Sequence, residues 1–276
     1  MVAIAKPVRG PIIKRAGNIW NEVVEFQNLY RSFYQVLRGK RNREHAGSFF
    51  RNLEENLLEL QDELVSFRYR PGGYHTFWIS DPKPRLISAA PFRDRVVHHA
   101  LVNVIEPEFE SKFIHHSAAC RKGRGTHFAL NYFNIWQRRN RYILKMDIKK
   151  FFPSIDHQVL NSRIARVIKD PKVLRLCGLI IDGSNAQEPV PNNYFHGDCL
   201  FSTSQRRFGI PIGNLTSQFF ANVYLDGLDH YIKEKLQVKR YVRYVDDFCC
   251  FDDDKARLSD IRSQIVDYLR GIRLRL

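Results

Sequence analysis

Cysteine is scarce and unpatterned. The 276 residues hold five, Cys120, Cys177, Cys199, Cys249 and Cys250, with no C-x-x-C spacing. An odd, scattered set argues against a closed disulfide framework and for a reducing cytoplasm. Long apolar runs are also lacking. Met1 to Lys14 is broken by Pro7, Gly10, Pro11 and charges, so it has the form of neither a signal peptide nor a membrane span, and no later stretch is long enough to cross a bilayer. Repeats and low-complexity tracts are missing, which excludes solenoids and arrays. Acidic residues are the minority charge: 29 Asp and Glu face 44 Lys and Arg, a net +15. That imbalance points to a polyanionic partner, nucleic acid first, with solubilising surface charge or an acidic membrane face as the alternatives.

What is present can fill a core. Hydrophobic residues make up 44% and aromatics 13%, enough for one large domain or two small ones. After a basic arm, Ile19, Val23, Phe26, Tyr30, Phe33 and Leu37 recur at helical spacing, and Phe50, Leu53, Leu57 and Leu64 form a second helix after Gly47. Pro and Gly between Tyr69 and Ile87, around Thr76-Phe77-Trp78-Ile79, predict a twisted hairpin. A helix through Val97, Leu101, Val104 and Ile105 should end before Pro107. Arg121 to Gly125 forms a basic loop ahead of a helix through Phe128, Tyr132, Ile135 and Trp136. Tyr142 to Met146 is a buried strand running into Asp147, and Asp156 is placed to cap a helix carrying Leu160, Ile164 and Val167. Residues 183–208 lack periodicity and predict a long surface loop. A helix through Phe220, Tyr224, Leu228 and Ile232 follows. Then two strand-like runs, Tyr241 to Val245 and Phe248 to Phe251, flank Asp246-Asp247 as a tight hairpin would, and a last helix carries Leu258, Ile261, Ile265 and Leu269.

Asp147 and Asp246-Asp247 thus end hydrophobic strands, and a fold that aligns those strands gathers three carboxylates. Crowded carboxylates raise one another's pKa, whereas a hard cation such as Mg²⁺ keeps them ionised. Two such ions would support nucleotidyl transfer. Alone, Asp246-Asp247 is equally a solvated turn and Asp147 a strand-end cap. Asp252-Asp253-Asp254 is better explained as a turn and helix start.

The set in order resembles a known family. Asp147-Ile148-Lys149-Lys150-Phe151-Phe152-Pro153-Ser154-Ile155-Asp156, then Gly209 to Gln218, then Tyr244-Val245-Asp246-Asp247, resembles the palm of reverse transcriptases. Pro82 to Ser88, Phe92 to Leu101 and Ala119 to His127 resemble the fingers motifs of bacterial members, so the likeness covers nearly the whole chain. Retron and group II intron enzymes usually carry Q-G-x-x-x-S-P where this chain has Ile212-Gly213-Asn214-Leu215-Thr216-Ser217-Gln218. That I-G-x-x-x-S-Q form is similar to the enzymes of diversity-generating retroelements, which copy a template RNA with errors at adenines.

The resemblance implies an α+β right-hand polymerase: an N-terminal arm and helix over 1–40, fingers over 41–140, and a palm over 141–276 whose antiparallel sheet packs on helices. Family members continue into a primer-gripping segment and a helical thumb, whereas the sequence ends at Leu276; the resemblance thus leads one to expect a palm-and-fingers core without its thumb, with weak or absent processive synthesis. Asp147 and Asp246 would bind two Mg²⁺ ions, with Mn²⁺ as a substitute, the carbonyl of Ile148 would add a ligand, and Asp247 would complete the acidic cluster. Phe152 would select deoxynucleotides by blocking a ribose 2′-hydroxyl, although either Phe151 or Phe152 could be core. Arg85 would contact the incoming nucleotide; Gly213 would let the backbone approach the nascent pair, flanked by Ile212 and Gln218. Arg93, Arg95, Lys122 and Arg124 are candidates for nucleic-acid phosphates, with pairing to Asp94 or Glu106, or plain solvation, as alternatives. His98-His99 and His115-His116 lack ligand spacing. Implied partners are template RNA, primer, RNA–DNA hybrid, dNTPs and an oligomeric basic accessory protein. The other readings are a retron-like or defence-associated reverse transcriptase, or a binding module with a vestigial palm.

Overall fold

The computed structural model describes residues 15–38, 44–80, 84–184, 194–195, 198–199 and 201–276. The arm over residues 1–14, Pro82, Lys83 and the middle of the expected 183–208 loop lie outside the described residues. The chain is α+β, with antiparallel sheets packed on helices.

The single helix expected from Ile19 to Leu37 is two: α1, Trp20–Val24, and α2, Phe26–Leu37, parted at Glu25, whose ψ is 134°. The break is held by Asn28, whose buried amide donates to the carbonyls of Glu22, Val23 and Ala100 at 3.1, 3.1 and 2.9 Å. Carbonyls that a continuous helix would satisfy are satisfied by that side chain instead. The next pattern also divides at Asn52 into α3, Glu44–Arg51, and α4, Leu53–Val65.

β1, His75–Ser80, and β2, Pro84–Ala89, form the expected antiparallel hairpin, with Phe77 opposite Ile87. Its first strand is exposed throughout. α5, Phe92–Glu110, does not stop before Pro107 but runs through it. The helix continues because Phe109, two residues further, is buried and meets Phe219 edge-on at 5.3 Å; burying a phenylalanine contributes about 1.5–3 kcal/mol, which offsets the lost hydrogen bond.

α6, Thr126–Gln137, precedes β3, Tyr142–Asp147. The short α7, Phe151–Ser154, and α8, His157–Val167, follow; Asp156 caps α8 as expected, accepting from the Val159 amide at 2.9 Å. α9, Pro171–Asp182, was not anticipated, and α10, Ser202–Gln205, lies within the expected loop. α11, Leu215–His230, passes into a π-helical turn, Tyr231–Lys235. β4, Arg240–Tyr244, and β5, Asp247–Asp252, make the predicted hairpin, and α12, Lys255–Gly271, is capped by Asp254. The triple-Asp segment is therefore a turn and helix start.

β5 lies between β3 and β4. Phe248 and Cys250 face the main core with α11 and α12, while Cys249 and Phe251 face Ala129, Phe133 and Trp136 of α6. Covered on both faces, β5 reads as a continuous apolar run rather than an alternating one. Among the described residues, no helix is long and apolar enough to cross a membrane.

Candidate active site

The three expected carboxylates meet at one end of the sheet. In the β3–β5 register Asp147 is the partner of Asp247, and Asp247 also pairs with Tyr244 of β4. Two residues, Val245 and Asp246, close the turn. Val245 has φ +56°, the sign that a II′ hairpin turn needs at its first central position and that a β-branched residue rarely takes. Asp246 is half-buried, and its pKa is raised, first by burial and then by the negative charges of Asp147 and Asp247, while Arg85 opposes the rise. Asp247 is more open, with Lys145 Nζ 3.8 Å away. Ile148, just past Asp147, is buried and pins the strand end to the core.

Among the described residues, no three His, Cys, Asp or Glu side chains close around one point. Like charges resist convergence. The donor set itself, three carboxylates fixed to neighbouring backbone positions with their repulsion already felt at Asp246, fits a hard divalent cation.

The open choice between the two phenylalanines is resolved in packing terms. Phe151 is 2% exposed, whereas Phe152 is half-buried. The backbone of Phe152 carries the next segment, since its carbonyl accepts from Ile210 N at 3.0 Å and that of Ile155 from Gly209 N at 2.8 Å. Gly213 follows with φ +111°, and a Cβ there would stand 2.8 Å from Ile87 Cγ2. The Ile212 carbonyl accepts from Ser88 N at 3.0 Å. Buried Asn214 completes the join: its Oδ1 accepts from Ala90 N at 3.1 Å and its Nδ2 donates to Ser88 O at 2.8 Å. Three hydrogen bonds thus lock the 209–214 loop to β2, the strand that carries Arg85. Ile212 is half-buried and Gln218 is exposed on the first turn of α11.

The remaining basic candidates divide. Arg93 pairs with Glu63 of α4, and its Nη1 is 3.9 Å from Asp94. Arg95 Nε donates to Ala90 O at 2.9 Å, with its guanidinium over Phe92. Arg124 lies over Phe128 at 5.2 Å, and Lys122 is exposed. Arg121, in the same basic run, is buried and forks onto Glu110. His98 is buried on α5, and His115 and His116 meet Tyr132 edge-on. Asn214, Asn222, Asp229 and Arg243 were not among the expected site residues. An arginine directly before Tyr244-Val245-Asp246-Asp247, inside an apolar strand, was the available signal for the last.

The sequence model of the family described as "Reverse transcriptase (RNA-dependent DNA polymerase)" matches residues 80–276. Similar curated proteins include Protein YkfC of Escherichia coli, 25% identical over 81% of this chain and 66% of its own length. The group II intron-encoded protein LtrA of Lactococcus lactis is 26% identical over 78% of this chain and 33% of its own length. The mitochondrial nuclear intron maturase 2 of Arabidopsis thaliana is 30% identical over 47% of this chain and 20% of its own length. The chain therefore spans two thirds or less of each. Among solved structures, the partial Cas6-RT-Cas1–Cas2 complex aligns over 99% of this chain and 44% of its own, with TM-score 0.50 and 15% identity, a likeness of fold.

Proposed function

The chain belongs to the reverse transcriptase family, and on that premise we propose that it copies a template RNA into cDNA by divalent-metal-dependent nucleotidyl transfer at Asp147, Asp246 and Asp247. The observation that carries this reading is the pairing of Asp147 with Asp247 across β3 and β5, with Asp246 in the adjoining turn. A pair of Mg²⁺ or Mn²⁺ ions held there would activate a primer hydroxyl and stabilise the leaving pyrophosphate. Asp147, Asp246 and the Ile148 carbonyl would hold them, with Asp247 beside.

The chain's own groups do the rest. Arg85, whose charge already acts on Asp246, offers planar donors to nucleotide phosphates. Phe152 lies under the sugar and disfavours a 2′-hydroxyl. Gly213, between Ile212 and Gln218, lets backbone approach the base pair. Lys122 and Arg124 are the basic candidates for template or primer phosphates, with Arg93 and Arg95 set back in packing contacts. In this reading residues 41–140 are fingers and 141–276 palm, preceded by an arm and helix over 1–40.

Within the family, we place the chain with the diversity-generating retroelements, because residues 212–218 carry I-G-x-x-x-S-Q. That reading adds adenine-directed errors and an oligomeric basic accessory protein. A second reading, an intron- or CRISPR-associated enzyme, is favoured by the likenesses to intron proteins and to a Cas6-RT-Cas1 chain. The test is single-nucleotide incorporation on primed RNA with dNTPs and Mg²⁺, followed by sequencing of the cDNA. Asp246→Ala should lower incorporation at least a thousandfold, about 4 kcal/mol; equal incorporation would overturn the catalytic reading. Errors concentrated at template adenines support the retroelement subgroup, and an even spectrum supports the second reading.

A further inference from the structure

We propose that Asp229 and Asn222 of α11, acting through Arg243, are positioning residues that hold the carboxylate-bearing turn in its working shape. The inference rests on the reading of that turn as the nucleotidyl-transfer site.

Arg243 and Asp229 side chains are both 0% exposed. Removing two charges from water is costly, and apolar residues of similar volume often serve stability as well or better. A charge pair kept at such a place therefore does something that hydrophobic packing cannot.

Here that something is the direction of the guanidinium's donors. Nε donates to Asp229 Oδ1 at 2.8 Å and Nη2 to Asp229 Oδ2 at 2.7 Å, a two-pronged grip that fixes the plane. Nη2 also donates to Ser117 Oγ at 2.9 Å, and Nη1 to Asn222 Oδ1 at 3.2 Å. The last N–H reaches the carbonyl of Val245 at 2.9 Å. All five guanidinium donors are thus used, and a lysine ammonium, with three, could not reproduce the set.

Val245 is the residue that needs holding. Its φ of +56° is natural for glycine and strained for a β-branched side chain. Rotation to a negative φ would turn its peptide planes and carry Asp246 away from Asp147. The fixed Nη1 donor favours the strained form by binding the Val245 carbonyl where that form presents it.

The grip comes from α11. Asn222 and Asp229 are seven residues apart, two turns on one helix face. Asp229 also accepts from Tyr241 Oη at 2.7 Å, and Asn222 donates to Ala119 O at 2.9 Å. The same helix starts directly after Gly213 and Asn214. One rigid element therefore joins the nucleotide-side loop to the brace of the acidic turn.

The test compares the parent with Arg243→Lys, with the apolar pair Arg243→Met/Asp229→Leu, and with Asn222→Ala, which removes one of Arg243's five hydrogen bonds together with the bond to Ala119 O and leaves the Arg243–Asp229 pair intact. Mn²⁺ alone, titrated calorimetrically, reads the carboxylate cluster without relying on turnover. Folded Arg243→Lys and the folded apolar pair should bind Mn²⁺ about tenfold more weakly. Their kcat for dNTP addition should fall about a hundredfold, with KM for dNTP unchanged. Adding Val245→Gly to Arg243→Lys, which gives the turn a residue at ease with positive φ, should recover at least tenfold of kcat and most of the Mn²⁺ affinity. Parent-like Mn²⁺ affinity and kcat in the folded variants would overturn the proposal, as would failure of Val245→Gly to rescue. If the larger changes do not fold, unchanged Mn²⁺ affinity in Asn222→Ala overturns it. A parent that binds Mn²⁺ but adds no nucleotide would sink the polymerase reading while leaving the Mn²⁺ comparison to decide this one.

Discussion

Ile87 Cγ2 stands 2.8 Å from the point where a Cβ would sit on Gly213, whose φ is +111°. Two separate penalties therefore fall on Gly213→Ala. A left-handed conformation costs an alanine about 1–2 kcal/mol, and forcing a methyl into a packed contact about 1–3 kcal/mol. We expect a melting temperature roughly 4–20 °C lower, at about 2–4 °C per kcal/mol for a chain of this size. Trimming Ile87 to Ala in the same molecule should return the contact part and leave the backbone part. An unchanged melting temperature in Gly213→Ala would contradict the close approach between β2 and the loop.

Asn214 joins the same two elements by hydrogen bonds rather than contact. Asn214→Leu keeps the branched outline of the side chain but leaves Ser88 O and Ala90 N unpaired in a buried site, each at a cost of about 1–3 kcal/mol. The urea midpoint should fall with the slope unchanged, as for a loss of stability without a change in compactness. On the proposed role of Arg85, KM for dNTP should also rise, because β2 loses its seat on the loop. A parent-like urea midpoint would show that these bonds contribute nothing net.

The acidic cluster was legible in the sequence because strand and turn chemistry are local: apolar runs on either side of Asp246-Asp247 and ahead of Asp147 give both strands and their ends. Helix type was equally legible, and helix continuity was not. The break at Glu25 depends on Asn28 reaching Ala100, and the passage of α5 through Pro107 depends on Phe109 finding Phe219; both partners are distant in sequence. α9 is different, since Asp170 and Pro171 are ordinary cap and first-turn signals, readable without tertiary contacts. Arg243 was hidden by its strand. Only the fold shows that its guanidinium points at the back of the turn rather than into solvent, and only the fold shows Arg93 and Arg121 drawn onto Glu63 and Glu110.

The adjacent phenylalanines provide a contrast within one element. Phe151 is fully in the core, so Phe151→Ala should cost about 3–5 kcal/mol of stability. Phe152 is half-buried, and on its proposed role Phe152→Ala should change selectivity more than stability. We expect the ratio of ribonucleotide to deoxynucleotide incorporation to rise at least tenfold in that variant, about 1.4 kcal/mol of discrimination. Parallel single-nucleotide assays with dNTP and rNTP measure it. An unchanged ratio removes Phe152 from sugar selection.

His230, at the end of α11, gives a pH signature distinct from that of the carboxylates. Its Nδ1 faces Glu234 Oε1 at 2.6 Å, its Nε2 donates to Lys112 O at 3.0 Å, and Asp226 Oδ1 lies 3.5 Å off. Asp226 contributes most to lifting its pKa to about 10, with Glu234 adding and partial burial opposing. The folded protein thus binds this proton more tightly than the unfolded chain, whose histidine titrates near 6.5. The resulting stabilisation is fully present below pH 6.5 and is lost as the pH rises through about 10. Replacing the group by His230→Gln should therefore lower the melting temperature at pH 6 and have a progressively smaller effect toward pH 10.5. Because the ring is partly exposed and its ion pairs are screened by solvent, the difference should be a few degrees at most. Thermal unfolding of both proteins across that range provides the check: a gap that widens with pH would mean that the proton is not held by the two carboxylates.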